Sequence, residues 1–413
     1  MEAHLADWIM TAPDGIEAES ILRACVHCGF CNATCPTYQL TGDELDGPRG
    51  RIYQIKRALE GEAPSASTQL HLDRCLTCRN CETTCPSGVK YGRLLDIGRA
   101  VVAEQVPRPA AQRWQRNFLR FALTRHWLFD PAVHIGRAMR GFLPQMLRDK
   151  LTPTRATGAR PQVTHARKVL LLNGCVQPAL MPSIDAATAR VLDACGVEAF
   201  VAPNSGCCGA LDFHLDAHAA AQARARRNID AWLPHLEAGV EAIVINASGC
   251  GAMLKEYAQM LRDDVAYKDK ARRIAATTLD LAEYLPRLLQ SSGARARAPL
   301  PDSLRRVAFH PPCTLQHAQK ITGAVEATLA SLGAELVPFI ESHLCCGSAG
   351  TYSILQPEFS QRLRERKLEN LQRGRPAMIL SANIGCLAHL ETAAQVPVRH
   401  WIEWVDAVLA RQD

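Results

Sequence analysis

Eight of the seventeen cysteines fall into two runs with identical spacing, and this repeat constrains the fold more than any other feature. Each run reads C-x2-C-x2-C-x3-C-P, and the second lies 50 residues after the first at every cysteine and at the proline. Three thiolates spaced three residues apart can surround one metal centre, while the fourth points toward a neighbouring centre. The runs consist of Cys25, Cys28, Cys31, Cys35 and Pro36, and of Cys75, Cys78, Cys81, Cys85 and Pro86.

This spacing is typical of bacterial ferredoxins that bind two [4Fe–4S] clusters. We therefore expect one cluster on Cys25, Cys28, Cys31 and Cys85, and the other on Cys35, Cys75, Cys78 and Cys81. Such a chain moves electrons one at a time. A pair of zinc ribbons is the alternative, but zinc ribbons use C-x2-C pairs and need neither the further cysteines nor the proline.

Cationic residues flank the second run more densely than the first. Positive charge stabilises the reduced, more negative form of a cluster, so the cluster of the second run is predicted to have the higher reduction potential. Solvated surface arginines are the alternative interpretation. The residues concerned are Arg74, Arg79, Lys90 and Arg93.

Length and composition indicate a folded chain of several domains. With 413 residues, 47% hydrophobic and 21% charged, two to four domains are expected. The first twenty residues contain acidic residues and no long apolar core, and no run reaches the roughly 18–20 apolar residues that span a bilayer. An odd number of cysteines also argues against a disulfide framework. We expect a cytoplasmic protein whose reduced thiols bind metal.

The second half of the chain contains an internal repeat built around a Cys-Cys-Gly motif. In both copies an apolar segment ends at or just before a cysteine, as in KVLLLNGC and RVAFHPPC. Short strands alternating with helices predict a parallel α/β sheet, whose carboxyl edge binds ligands. Cys175, Cys207 and Cys208 correspond to Cys313, Cys345 and Cys346 at an offset of 138, and Cys250 corresponds to Cys386 at an offset of 136.

These eight cysteines are predicted to form two groups of four or to face one shared site. A metal site and a reversible thiol–disulfide site both remain open, because vicinal thiols beside a flexible glycine suit either chemistry. Cys195 lies outside every group and is expected to be a buried structural thiol. His310, His317 and His343 lie near the second group and are interpreted as structural, with metal ligation as the alternative.

The predicted fold class is a multidomain α+β protein. A helical ferredoxin domain with two clusters covers residues 1–105, and a basic helical connector with a linker covers residues 106–166. Two Cys-Cys-Gly α/β repeats with parallel strands follow at residues 167–295 and 303–413. The helical assignment rests on segments rich in alanine, leucine and charged residues with few β-branched runs.

The connector concentrates the positive charge. From Gln105 to Lys168 there are thirteen Lys and Arg residues against two acidic ones, interleaved with aromatic residues. Such a segment can dock on a neighbouring domain or subunit, or it can lie on an anionic membrane surface. Nucleic-acid binding is not indicated, because a basic patch occurs without a recognition module.

The usual fingerprints of hydride-transferring cofactors are absent from the sequence. No G-x-G-x-x-G opens a helix after a strand, and no P-loop is present. Oxidising an alcohol moves two electrons, whereas each cluster takes one, so a flavin is expected on partner proteins. The chain is therefore predicted to be a relay with no catalytic residues of its own.

Long segments around the motifs resemble the iron–sulfur subunits that serve flavin dehydrogenases, those of bacterial glycolate oxidases above all. The resemblance covers essentially the whole chain, including ILRACVHCGFCNATCPTYQLTGDELDGPRGRIY, HLDRCLTCRNCETTCPSGVKYGRLLDIGR, SHLCCGSAGTY and NIGCLAHL. It implies an α-helical ferredoxin domain, two flavoprotein partners carrying FAD, and oxidation of glycolate to glyoxylate by the complex. It also implies a quinone-type acceptor and a peripheral location on the inner face of the bacterial membrane.

The sequence departs from some relatives of this group in the repeats. Relatives that bind unusual clusters supply five cysteines per repeat, ending in C-x-x-C, whereas Ala247, Met253, Asn383 and His389 flank Cys250 and Cys386 here. A cubane, a partly occupied site or no cluster all remain open. The alternatives for the whole chain are an iron–sulfur subunit of anaerobic glycerol-3-phosphate dehydrogenase, a disulfide reductase acting at the Cys-Cys-Gly sites, and a zinc-bound scaffold.

Overall fold

A computed structural model describes residues 1–142, 155–293 and 299–410. The chain divides into two compact units. The first contains Met1–Asn117 together with a later segment, His343–Lys367. The second contains Phe118–Ser342 and the chain from Leu368 onward.

The first unit is helical. Several of its helices begin with a proline at the first position, where the missing N–H costs nothing and the fixed φ angle favours the helix. Its helices are Asp7–Met10, Pro13–Ala24, Phe30–Ala33, Pro36–Thr41, Pro48–Leu59, Ala66–Asp73, Asn80–Thr84, Tyr91–Gln105 and Tyr352–Leu355, with a 3₁₀ turn at Glu44–Asp46. Helices Ala110–Leu123 and Pro357–Gln372 begin in this unit and continue into the second.

The core of the first unit holds the two cysteine runs in place. Leu22, Ile55 and Leu94 are completely buried at its centre. Cys25 and Cys81, one from each run, belong to the same buried cluster. Because the cysteine loops are anchored in the core, their thiols occupy defined positions.

The second unit contains two four-stranded parallel sheets with the same topology. The strand order is β2-β1-β3-β4 in one sheet and β6-β5-β7-β8 in the other. Every pairing is parallel, as in Leu170↔Ile243 between β1 and β3. The strands are β1 Arg167–Leu171, β2 Val197–Val201, β3 Ile243–Ile245, β4 Thr278–Asp280, β5 Arg306–His310, β6 Glu335–Leu336, β7 Met378–Ser381 and β8 Val398–His400.

Helices connect the strands, as parallel pairing requires. In the first repeat they are Gln177–Leu180, Pro182–Ala194, Ala210–His214, His218–Glu237, Ser248–Lys255, Tyr257–Met260, Lys268–Thr277 and Leu281–Ser292. In the second repeat they are Asp302–Arg305, a π-helical turn at Thr314–Ala318, Ala324–Ser331, Ile384–Glu391 and Trp401–Leu409.

The predicted fold class is confirmed: a helical ferredoxin-like region is followed by two α/β repeats with parallel strands. The fourth strand of each sheet, β4 and β8, was not predicted from the sequence. Both are three-residue strands without a distinctive apolar run. The domain limits 1–105, 106–166, 167–295 and 303–413 stay predictions, and residues 143–154, 294–295 and 411–413 of these domains lie outside the described part of the chain.

The connector forms two helices, Ala110–Leu123 and His126–Ala138, followed by a 3₁₀ turn at Arg140–Phe142. Several of its aromatic side chains are exposed, including Phe118, Phe121 and Trp127. Within residues 1–142, 155–293 and 299–410, no helix has the length and apolar character needed to cross a bilayer.

Candidate iron–sulfur centres and cysteine sites

The first pocket of the first unit is lined by cysteines from both runs. Cys25, Cys28 and Cys31 come from the first run, and Cys85 is the last cysteine of the second. The pocket spans about 440 Å³, including space open to solvent, and Cys81 also borders it. Cys28 is solvent-exposed, so this pocket reaches the surface.

The second pocket shows the reciprocal arrangement. Cys75, Cys78 and Cys81 come from the second run, and Cys35 is the last cysteine of the first. It spans about 300 Å³, including space open to solvent. Cys35 and Cys81 are buried, while the other two are partly exposed.

Thiol electrostatics follow the same grouping. Burial raises the pKa of Cys31 to about 11, and the thiols of Cys25, Cys28 and Cys85 add to that rise. Burial likewise raises the pKa of Cys81, with further contributions from Cys78, Cys75 and Cys35. Because the pKa values of these two thiols are raised, a metal bound there would have to displace their protons.

The backbone of the two runs is matched as well. His27 and Thr77 stand at equivalent positions, and both are left-handed, with φ angles of 59° and 52° respectively. Gly29 and Arg79, two residues later, are left-handed in both runs too. Non-glycine residues rarely adopt this conformation, and such strain concentrates where a loop wraps around a ligand.

The residues of both pockets fit a [4Fe–4S] cluster. Such a cluster takes four cysteine thiolates, and each pocket offers four thiols from the predicted combination. Apolar side chains, Ile52 and Val89, complete the first pocket. Tyr91 lines both pockets, and its hydroxyl donates to the Cys75 thiol over 3.6 Å.

A buried charge network borders the second pocket. Arg51 lines this pocket and is completely buried, as is Asp46, which contacts it at 3.5 Å. The Asp46 carboxylate also accepts from Arg74 at 3.0 Å and lies 2.9 Å from His71 Nδ1. Burial by itself lowers the pKa of Arg51. The surrounding acidic groups, Cys75 first among them, outweigh that effect and raise the pKa above its usual range, so the guanidinium stays charged.

The structure gives contacts for three of the four cations that flank the second run. Arg79 lines the second pocket. Arg93 pairs with Glu17 at 3.0 Å, and Arg74 pairs with Asp46 at 3.0 Å. Arg51 was missed by the sequence reasoning because it lies 24 residues before Cys75, with no local pattern that links the two.

The first repeat brings its four cysteines together. The thiol of Cys207 is hydrogen-bonded to those of Cys175 and Cys208, and Cys208 is in turn hydrogen-bonded to Cys250. Donation from Cys175 and Cys208 lowers the pKa of Cys207, while the same bonds raise the pKa values of the two donors. The four sulfurs follow the carboxyl ends of β1, β2 and β3, as the sequence predicted for a ligand-binding edge.

Hydrogen bonds fix the Cys207–Cys208 turn. Asn228 Nδ2 donates to the carbonyl of Cys207 at 3.0 Å, and the Tyr257 hydroxyl donates to that of Cys208 at 2.8 Å. Gly209 has a φ of +89°, which a side chain would strain. The pair is therefore held in one conformation by neighbouring helices.

The connector docks beside this first-repeat site. Arg120 donates to Asp212 at 2.8 Å, and Arg224 donates to the other oxygen of the same carboxylate at 2.5 Å. Arg224 also donates to Thr124 at 2.7 Å, and its charge helps lower the pKa of Cys207. Arg120 is therefore part of a packed contact, whereas the aromatic side chains of the same helix face solvent.

The second repeat divides its four cysteines between the two units. Cys345 and Cys346 are buried in the first unit. Cys313 and Cys386 belong to the second, Cys313 just after β5 and Cys386 in helix Ile384–Glu391. Cys195, the remaining thiol, is buried and accepts a hydrogen bond from the Ser292 hydroxyl at 3.5 Å, as a structural cysteine would.

Comparison with known proteins agrees with this arrangement. The profile of the family described as "4Fe-4S dicluster domain" matches residues 21–89, and that described as "Cysteine-rich domain" matches residues 169–255 and 307–391. The chain is 52% identical to the glycolate oxidase iron-sulfur subunit of Escherichia coli (strain K12) over 413 residues, covering all of both chains. The chain belongs to the family of glycolate oxidase iron–sulfur subunits.

Two further relatives are less similar to this chain. A probable glycolate oxidase iron-sulfur subunit of Bacillus subtilis (strain 168) is 29% identical over 404 residues, which cover 90% of this chain and 89% of that protein. Lactate utilization protein A of Geobacillus thermodenitrificans is 27% identical over 227 residues, or 54% of this chain and 90% of its own length. The Escherichia coli subunit therefore matches the full length of this chain and the Bacillus subtilis protein about nine-tenths of it, whereas this lactate utilization protein matches about half.

Proposed function

We propose that this chain is the iron–sulfur electron-transfer subunit of a glycolate oxidase complex. It relays electrons from flavin on two partner flavoprotein subunits to a quinone-type acceptor. The observation that carries the proposal is the pair of four-thiol pockets, in a chain that aligns end to end with a glycolate oxidase iron-sulfur subunit.

Cys25, Cys28, Cys31 and Cys85 would hold one [4Fe–4S] cluster, and Cys35, Cys75, Cys78 and Cys81 the other. A bound cluster accepts and returns one electron at a time. The thiol groupings and the matched backbone of the two runs support this assignment. Exposed Cys28 supports the first pocket as the end that meets an external electron donor.

The partners would carry out the substrate chemistry. Removing two electrons from an alcohol requires a hydride-accepting group, which we assign to FAD on the partner subunits. This chain would hold no substrate and contribute no catalytic residue. A glycerol-3-phosphate dehydrogenase complex would require a different flavoprotein partner, so the co-purifying flavoprotein separates the two assignments.

The thiols of the first repeat, Cys175, Cys207, Cys208 and Cys250, would form a further metal or thiol-redox site. Their mutual hydrogen bonds and the lowered pKa of Cys207 support either chemistry. Cys313, Cys345, Cys346 and Cys386 are the corresponding candidates of the second repeat. Iron analysis of a Cys208→Ala/Cys346→Ala double variant distinguishes a metal site from a thiol-redox site. An iron content equal to that of the wild type would exclude a cluster in either repeat.

We further propose that the chain is cytoplasmic and peripheral to the inner face of the cell membrane. The exposed aromatic side chains of the connector, Phe121 and Trp127 among them, support this location, together with its excess of arginine. A Phe121→Ser/Trp127→Ser variant should float less with anionic liposomes than the wild type. Equal flotation of the variant and the wild type would show that these aromatic side chains of the connector do not contribute to membrane binding.

Anaerobic purification with the co-expressed partners tests the central proposal. We expect about eight irons and eight sulfides per chain from the two ferredoxin pockets alone, given four of each per cluster. Glycolate should reduce the EPR-active centres only when the flavoproteins are present. A colourless, zinc-containing chain would refute the proposal, and reduction by glycolate without flavoproteins would refute the division of labour.

A further inference from the structure

The second repeat contributes a segment to the ferredoxin unit, and this segment carries a vicinal cysteine pair. His343–Lys367 packs within the first unit, and its residues Cys345 and Cys346 are 3% and 1% exposed. No corresponding segment of the first repeat lies in that unit, since Cys207 and Cys208 belong to the second.

The segment is attached beside the cysteines of the second run. The Tyr352 hydroxyl donates to the backbone carbonyl of Arg74 at 3.1 Å, and Arg74 directly precedes Cys75. Asn80 directly precedes Cys81, and its side-chain amide donates to the carbonyl of His343 at 3.3 Å. Both anchors therefore act on residues adjacent to proposed ligands of the second pocket.

The equivalent face of the first run is open. Val26 and Phe30 are 67% and 62% exposed, whereas their counterparts in the second run, Leu76 and Asn80, are 4% and 2% exposed. The two runs have the same cysteine spacing, so the difference comes from what packs on them.

Internal bonds fix the shape of the Cys345–Cys346 turn. The backbone N–H of Gly347 donates to Cys345 Sγ at 3.4 Å, and the Ser360 hydroxyl donates to the carbonyl of Gly347 at 2.8 Å. Gly347 has a φ of +89°, and a Cβ there would lie 2.5 Å from the Ser360 carbonyl oxygen. Because the turn is held in one conformation, a shift at the contacts made by Asn80 and Tyr352 should also move the thiols of Cys345 and Cys346.

We propose that Asn80 and Tyr352 are positioning residues that hold the Cys345–Cys346 turn against the second pocket, so that the turn is electronically coupled to that pocket and not to the first. This inference rests on the proposed function. Tyr352 lies seven residues after Cys345 and donates to the residue before Cys75, so it links the segment that carries the turn to the second run.

A redox titration followed by EPR tests the coupling on the anaerobically purified full chain. Cys28→Ser and Cys78→Ser variants assign the signals to the first and second pockets. Cys345→Ser should shift the midpoint potential of the second-pocket signal and leave the first unchanged. Cys207→Ser is the matched control from the first repeat and should shift neither.

Tyr352→Phe keeps the ring and removes only the hydroxyl that bonds Arg74, so it decides the question even if Cys345→Ser does not fold. It should shift the second-pocket signal alone, while Tyr53→Phe, at an exposed tyrosine of the same unit, should shift none. Unchanged midpoints, or equal shifts in both pockets, would overturn the inference while leaving the proposed function intact. A wild-type chain without iron would instead overturn the proposed function, and the inference with it.

Discussion

The two cysteine runs share their spacing and backbone geometry but differ in their surroundings. Around the first run, Cys28 is exposed, and the nearby Arg49–Glu44 ion pair lies at the surface. Around the second, Arg51 and Asp46 are completely buried. A duplicated motif therefore specifies the same cysteine geometry twice, while the packing around each copy leaves one run exposed and places buried charges beside the other.

The largest expected difference between the runs is in stability. Asp46→Ala should lower the free energy of unfolding by about 3–5 kcal/mol, because it leaves the buried guanidinium of Arg51 without its carboxylate. Glu44→Ala removes the partly exposed partner of Arg49 and should cost about 1 kcal/mol or less. Urea denaturation of both variants measures the contrast, and equal losses would contradict it.

A smaller difference is expected at equivalent positions of the two runs. Asn80 is buried and donates to the carbonyls of Thr34 and His343, so Asn80→Ala should cost about 1–3 kcal/mol by leaving those carbonyls without their donor. Phe30→Ala, at the exposed counterpart, should change stability by about 0.5 kcal/mol or less. Thermal unfolding compares the two, and a larger loss for Phe30→Ala would show that the first run is also covered.

The reduction potentials offer a third test. Removing one positive charge from the wall of a pocket should disfavour the reduced state by on the order of 1 kcal/mol, or about 40 mV for one electron. Arg79→Gln should lower the midpoint of the second-pocket signal, and Arg49→Gln that of the first. Equal midpoints of the two pockets in the wild type would contradict the prediction that the second has the higher potential.

The smallest expected effect is kinetic. Iron chelators should remove iron from the purified chain in two phases, the first pocket losing it several-fold faster because its ligand Cys28 is exposed. Following the decay of the two EPR signals separately measures the ratio. A single phase, or faster loss from the second pocket, would mean that the exposure of Cys28 does not control access to the iron.

The sequence predicted the candidate cysteine sites better than their environment. The spacing within the runs and the offset of 138 between the repeats identified sixteen cysteines in groups, and the structure brings Cys175, Cys207, Cys208 and Cys250 together. The role of Arg51 could not be predicted, because its guanidinium is held in part by the backbone carbonyl of His71, 20 residues later in the chain. The fourth strands β4 and β8 were missed because each is three residues long and is stabilised mainly by its sheet neighbour.

By itself, the sequence determined the cysteine spacing, the internal repeat and the parallel α/β class of the second half. These features are local, or they recur at a constant offset, so the chain's own geometry specifies them. Only the tertiary structure decided that His343–Lys367 joins the first unit, where Tyr352 reaches the carbonyl of Arg74, 278 residues earlier in the chain. Contacts at that separation depend on how whole segments pack, and no local pattern of residues encodes them.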